Sequence, residues 1–143
     1  MSEENKAMVR RLCEETINKG NFALLDEVVS TDFLYREPTV GEKRGRAGFR
    51  ELVTIYRTAF PDLKMTIEEQ LAEGDKVVTR WTATGTHRGE LMGIAPSGKP
   101  IRVQGIVVTR IANGKIVEDT EIYDAFGMFR QLGVLPGAIG KAA

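Results

Sequence analysis

At Pro61 the hydrophobic period of the chain changes, and that change constrains the fold more than any single motif. Before it, apolar residues recur every three or four positions; after it, they alternate. From Asn5 to Asn18, Val9, Leu12, Cys13, Thr16 and Ile17 share one side while Lys6, Arg10, Arg11, Glu14 and Glu15 fall mostly on the other. This spacing predicts an amphipathic helix closed by Gly20. Cys13 sits on its apolar stripe and reads as a small core residue. Asn21 can cap a second short helix, Phe22 to Val29, which Thr31-Asp32 interrupts. Phe33 to Arg36 reads as extended before Pro38 forces a turn. A third helix begins near Arg46, with Phe49, Leu52, Val53, Tyr56 and Phe60 at helical spacing, and Pro61 ends it.

Beyond Pro61, Leu63, Met65 and Ile67 alternate with Lys64, Thr66 and Glu68, and Gly74-Asp75 turns the chain into a long alternating run, Val77 to His87. Arg88 to Pro100 is rich in glycine and proline yet holds Leu91, Met92 and Ile94, so this loop is expected to fold over something. Ile101 to Ile111 is a third long strand, and Ala112-Asn113-Gly114 leads into a fourth, Val117 to Asp124. Asp124 reads as the N-cap of a short closing helix ended by Gly133, with a frayed tail past Pro136. Helices first, then long antiparallel strands, make an α+β arrangement. At 143 residues the chain suits one domain with a single core.

Composition narrows the partners. Basic and acidic residues balance at 20 each, and no basic block is interleaved with aromatics, so nucleic-acid binding is not expected. No stretch approaches the ~20 apolar residues of a membrane span, and the N-terminus is polar and acidic; neither a membrane partner nor export is expected, and the cytoplasm is the simplest location. The single Cys13 and single His87 offer no internal disulfide and no zinc site.

The last long strand holds the chemistry-bearing residues. On alternation, Val117, Asp119, Glu121 and Tyr123 share one face, and Glu118, Thr120, Ile122 and Asp124 share the other. A type I turn with a glycine bulge at Asn113-Gly114 is the preferred connection, placing Val107 across from Asp119 and Gly105 across from Glu121. A two-residue type I′ turn would instead set Ile106 opposite Glu121. Val103, Val107 and Val117 make one face apolar and Ile106, Val108 and Ile122 the other, so helices should cover one side and a second copy of the chain the other.

Several short motifs, taken together, resemble a known family: Ala72-Glu73-Gly74-Asp75-Lys76-Val77-Val78, Arg80-Trp81-Thr82-Ala83-Thr84-Gly85-Thr86-His87, Gly93-Ile94 with Pro96-Ser97-Gly98-Lys99, Asn113-Gly114-Lys115-Ile116-Val117-Glu118, and Gln131-Leu132-Gly133. In order and spacing they are similar to the SnoaL-like polyketide cyclases, from the first helix to about Pro136. The resemblance implies a cone-shaped α+β barrel of the nuclear-transport-factor and ketosteroid-isomerase type. In that fold a curved, mostly antiparallel sheet wraps a cavity closed by N-terminal helices, and the protein is a homodimer. It also implies catalysis without a cofactor: an aspartate deprotonates a carbon flanked by carbonyls, and the carbanion closes a ring by intramolecular aldol addition. The family's aspartate falls on Glu121. Its assisting histidine falls on Val107, a further histidine falls on Asp119, and Arg36 stands where many members have a histidine.

Glu121 is therefore the candidate catalytic base. A carboxylate can take a proton from carbon only if burial or a neighbouring negative charge raises its pKa and something stabilises the enolate. Asp119 could supply the charge, and Tyr123 or Tyr35 a hydrogen bond to the oxyanion. Arg36 offers the opposing role, a buried ion pair with Glu121 that would hold it ionised. Asp119 reads equally as an arginine partner or a rim acid, and His87 as the anchor of the following loop or a pocket group. Phe33, Phe49, Trp81, Met92 and Val107 are the expected pocket wall for a small hydrophobic molecule. The expected function is a cyclase or isomerase acting on a carbonyl compound. The alternatives are a non-catalytic ligand-binding or dimerisation module and an epoxide-hydrolase-like hydratase.

Overall fold

The protein is described here by a computed structural model, which describes residues 2–134. Its first helix, α1 (Ser2–Arg11), runs directly into a π-helical stretch, Leu12–Ile17, that turns Leu12, Cys13 and Thr16 into the core. Glu3 and Glu4 in the first turn of α1 and Arg10 and Arg11 in the last suit the helix dipole. The exposed C-terminal carbonyls of Ile17 and Asn18 are capped from across the fold by the Arg57 guanidinium, at 3.0 and 2.8 Å. Asn21 caps the next element as expected, its side chain accepting from the Ala23 N–H at 3.2 Å. That element is split into a 3₁₀ turn, Phe22–Leu24, and α2 (Leu25–Val28).

Strand β1 (Val29–Glu37) begins earlier than the Phe33–Arg36 segment expected, absorbing Thr31-Asp32 through a register irregularity between Val29 and Leu34. It turns at Pro38, where the buried Glu37 carboxylate accepts the backbone N–H groups of Thr39 and Val40 at 2.7 and 3.1 Å. The return strand β2 (Gly41–Arg44) has no apolar residue and lies on the sheet edge, so periodicity could not reveal it. Helix α3 (Gly45–Ala59) follows, burying Phe49, Leu52 and Val53, and Pro61 lies just beyond its end. Then come β3 (Lys64–Glu73), β4 (Lys76–Thr86), β5 (Pro100–Ala112), β6 (Lys115–Tyr123) and α4 (Ala125–Gln131). Asp124 caps α4, accepting from the Gly127 N–H at 2.8 Å. The expected fraying past Pro136 lies outside the described residues.

The six strands form one curved, open sheet in the order β2-β1-β6-β5-β4-β3, antiparallel except for β1 beside β6. The α+β class and the helix-covered curved sheet are those expected. No described helix is long and apolar enough to cross a membrane. The edge strand β3 is partly covered by α1, and the Asn18 side chain pairs with the Met65 backbone in both directions, at 2.7 and 2.9 Å.

The β5–β6 register corrects both turn readings. Asn113 and Gly114 both have positive φ, +52° and +73°, as a type I′ turn requires, and Ala112 pairs with Lys115. A bulge then leaves Val117 unpaired between Ile116, which faces Ile111, and Glu118, which faces Arg110. The turn is thus the disfavoured type, and the extra residue moves Glu121 opposite Val107, Asp119 opposite Thr109 and Tyr123 opposite Gly105. Ile116, not Val117, therefore joins Asp119, Glu121 and Tyr123 on the inner wall.

Candidate active site

The core falls into two clusters. One gathers α1, α2, α3 and β1 around Phe33, Phe49 and Ile116; the other gathers Phe60, Trp81, Leu91 and Met128. Between them lies a cavity of about 130 Å³, walled by the inner face of the sheet and by α1 and α3. Its lining is apolar except for a band that includes Tyr35 on β1, Tyr56 on α3, Trp81 on β4, Thr109 on β5, and Asp119, Glu121 and Tyr123 on β6. Among the described lining residues there is no lysine, arginine or histidine.

Glu121 is the centre of this band. The Tyr35 hydroxyl donates to its Oε1 at 2.6 Å and the Trp81 indole N–H to its Oε2 at 2.8 Å. Each oxygen retains a further lone pair. Burial pushes the Glu121 pKa up to about 7; the Tyr35 hydrogen bond opposes the rise, the Asp119 charge adds to it, Trp81 opposes it and Glu37 adds to it. The Trp81 contact depends on Gly105, which lies beside Trp81 on one strand and Tyr123 on the other. A Cβ there would stand 2.3 Å from Trp81 Cζ2, so only glycine lets the indole lie across β5 toward Glu121.

Asp119 is nearly fully buried and accepts from the Thr109 hydroxyl at 2.6 Å. Burial pushes its pKa up to about 6, against the Thr109 hydrogen bond and with help from the Glu118 charge. No arginine pairs with it among the described residues. At the other end of the band, the Tyr56 and Tyr123 hydroxyls meet at 2.8 Å. Burial raises the pKa of Tyr35, Tyr56 and Tyr123 alike, which keeps all three as neutral phenols. Cys13 also lines the cavity, but burial pushes its thiol up to about 12, so it does not supply a thiolate at neutral pH.

The cavity brings together Glu121, Asp119, Tyr35, Tyr123, Phe49, Trp81 and Val107 from the residues expected there. Four others lie elsewhere. Arg36 is on the outer face, 3.2 Å from Glu118 and 3.8 Å from Glu42, so the proposed ion pair with Glu121 does not form. Its neighbour Tyr35 points inward, and alternation sends Arg36 out. His87 is fully buried behind Phe60 and pins its loop: its Nδ1 lies 2.9 Å from Ser97 Oγ and accepts the Ser97 N–H at 3.2 Å. Phe33 packs edge-on against Phe49 without reaching the cavity, and Met92 is exposed on the loop at positive φ. Missed in the sequence were Tyr56, which reads as one more core residue of α3, and Thr109. Among the described residues, no three His, Cys, Asp or Glu side chains are grouped to hold a metal.

A curved sheet closed by helices over an apolar cavity, with carboxylates on its inner wall, defines the small α+β cone class that ketosteroid-isomerase-like proteins share. The chain belongs to the SnoaL-like polyketide cyclase family, whose sequence profile matches residues 7–132. It is 32% identical over 132 residues to the aklanonic acid methyl ester cyclase DnrD of Streptomyces peucetius, covering 88% of each chain. Its fold superimposes on a SnoaL-like protein of Jannaschia sp. CCS1 with a TM-score of 0.86 at 23% identity, covering 94% of this chain and 95% of that one. A Catenulispora acidiphila protein with a ketosteroid isomerase-like fold gives a TM-score of 0.75 at 18% identity, covering 90% and 93%.

Proposed function

We propose that the protein is a cyclase or isomerase of carbonyl compounds in which Glu121 is the catalytic base and no cofactor takes part. The observation that carries this is a buried carboxylate, Glu121, held by hydrogen bonds from Tyr35 and Trp81 at the centre of the polar band of a mostly apolar cavity, with burial pushing its pKa up to about 7. A carboxylate raised in this direction is basic enough to take a proton from an activated methylene. In an aldol closure the proton leaves carbon for Glu121, and the carbanion attacks a second carbonyl to form the new carbon–carbon bond. The resulting alkoxide then takes the proton back from Glu121. The name of the Streptomyces peucetius relative, a methyl ester cyclase, agrees with a substrate of this kind. That no lysine, arginine or histidine lines the cavity among the described residues agrees with an uncharged one.

Proton abstraction is measurable without knowing the natural substrate. The protein is expected to speed deuterium incorporation at the central carbon of a small 1,3-dicarbonyl in D₂O, with a rate that rises as pH passes through about 7. Wild-type protein that leaves the solvent rate unchanged across a panel of such compounds would favour the ligand-binding reading. At about 130 Å³, the cavity is below the ~300–1,000 Å³ of typical ligand pockets, so a small compound is the right probe.

We also propose that the outer face of the sheet binds a second copy of the chain. Ile106 and Ile122 are cross-strand partners, 48% and 67% exposed near the centre of that face. Exposed apolar residues at a sheet centre call for a cover. The flanking charges are of both signs, Arg80 beside Glu69 and Arg110 beside Glu118, which suits a self-complementary two-fold contact. Sedimentation at micromolar concentration should give a dimer, and replacing Ile106 and Ile122 by lysine should give a monomer; a monomeric wild type would refute the contact.

A further inference from the structure

We infer that the Tyr56–Tyr123 hydroxyl pair is the site that receives the negative charge of the enolate, with one hydroxyl hydrogen free to donate to the substrate oxygen. The inference rests on the cavity being the place where Glu121 takes a proton, and it names the other half of that chemistry.

Counting donors leads there. An enolate oxygen in this cavity needs hydrogen-bond donors, because no cation lines the wall among the described residues. Tyr35 and Trp81 spend their hydrogens on Glu121, and Thr109 spends its hydrogen on Asp119. The Cys13 thiol points to the Met65 carbonyl, 3.8 Å away. Tyr56 and Tyr123 meet oxygen to oxygen at 2.8 Å. Two hydroxyls carry two hydrogens, and one contact uses one of them. Thr39 also hydrogen-bonds the Tyr123 hydroxyl; with Tyr56 and Thr39 both donating to the Tyr123 oxygen, Tyr123 keeps its own hydrogen for the substrate, and the two contacts polarise it.

Position supports the same assignment. Tyr123 and Glu121 are two residues apart on one face of β6, about 6–7 Å along the strand. That separation suits a bound 1,3-dicarbonyl whose acidic carbon faces Glu121 and whose oxygen faces the pair. Asp119 lies a further two residues away, about 13 Å along the strand from Tyr123; the buried carboxylate whose charge does reach both tyrosines is Glu37, which the Thr39 and Val40 N–H groups hold at 2.7 and 3.1 Å. Tyr123 is fixed by packing against Trp81, with ring centroids at 6.2 Å, and Tyr56 stands edge-on to it, also at 6.2 Å. Donors held in place before the reaction need no reorganisation during it. The remaining rival is Thr79, which lines the cavity and accepts from Gln70 at 3.4 Å, leaving its own hydrogen unassigned.

The test uses 4-nitrophenol, a small oxyanion mimic whose phenolate band reports its ionisation. It is run in the Glu121→Gln background, which presents the neutral state that the base reaches after abstraction and needs no turnover. Bound 4-nitrophenol is expected to favour its anion at least tenfold more than in water, and Tyr123→Phe and Tyr56→Phe are each expected to reduce that preference by about tenfold. Two separate single-oxygen deletions, each checked for native circular dichroism, keep the experiment readable if one variant does not fold. Failure of the probe to bind, binding as the neutral phenol, or loss of the preference on Thr79→Val or Tyr35→Phe but not on the Tyr56 or Tyr123 variant would overturn the inference; Tyr35→Phe is included because an amide at position 121 turns the Tyr35 hydrogen toward the cavity. Failure of deuterium exchange in the wild type with an intact tyrosine-dependent preference would instead remove the base role and leave the oxyanion site standing.

Discussion

Replacing Glu121 by glutamine is expected to lower the rate of deuterium exchange into a 1,3-dicarbonyl, and of any ring closure that depends on it, by about 10²–10⁴-fold. The fold should survive. Glutamine has nearly the same shape, and its amide can satisfy both existing partners: the carbonyl oxygen accepts the Trp81 N–H, and the NH₂ donates to the Tyr35 oxygen, whose hydrogen turns toward the cavity. The same variant tests the electrostatics through stability. In the folded protein Glu121 is raised from 4.5 to about 7, so between those values the native state holds a proton that the unfolded chain has released. Its stabilising contribution is complete below about pH 4.5 and is lost as pH rises through about 7. Asp119, raised from 3.8 to about 6, loses its contribution in the same direction over a lower window. Urea midpoints of the wild type should therefore fall between pH 5 and pH 8, and Glu121→Gln should remove a part of that fall on the order of 2–3 kcal/mol. A variant with undiminished exchange would exclude Glu121 as the base. A wild type whose stability is flat over this range would show that the carboxylate is not held in a dry site.

Most of the fold was legible because burial writes a period into the sequence. The helical spacing of Phe49, Leu52 and Val53 placed α3, and the alternation of β4 and β5 placed the central strands. Alternation put Asp119, Glu121 and Tyr123 on one face of a strand, and the resemblance to the SnoaL-like cyclases singled out Glu121 among them. The places where sequence reading failed are those where the period is broken or carries no information. Val117 is a bulged residue, and one extra residue reverses which neighbours face inward, so Ile116 takes its place on the wall. The edge strand β2 is polar on both sides and leaves no periodic trace. Arg36 could have been placed: with Tyr35 inward, alternation puts Arg36 outward, where Glu118 meets it. The polar partners are a different matter. That Trp81 would donate to Glu121, or Tyr56 meet Tyr123, depends on strand order and on a helix crossing the sheet, 40 and 67 residues apart in sequence. Aromatic residues at core spacing look alike whether or not their polar atoms face a cavity.

Gly105→Ala is expected to disturb the site through its frame. The added Cβ would meet Trp81 Cζ2 at 2.3 Å, Trp81 Cε2 at 2.6 Å and Tyr123 Cβ at 2.8 Å, all in well-packed rings or their root, not at the flexible end of a chain. Something must shift, and overpacking of this kind costs about 1–3 kcal/mol. The indole is the group with most contact at that point, so its N–H is expected to leave Glu121 Oε2. Removing a donor from the ionised carboxylate favours the protonated form, and the pH at which deuterium exchange reaches half its maximum should move above that of the wild type. Trp81→Phe separates the two effects, because it deletes the N–H and relieves crowding while keeping a ring in place. It should raise the half-maximal pH with a smaller loss of stability than Gly105→Ala. If Gly105→Ala matches the wild type in both urea midpoint and exchange profile, then Trp81 is not held against β5 as described, and the second hydrogen bond to Glu121 does not govern its basicity.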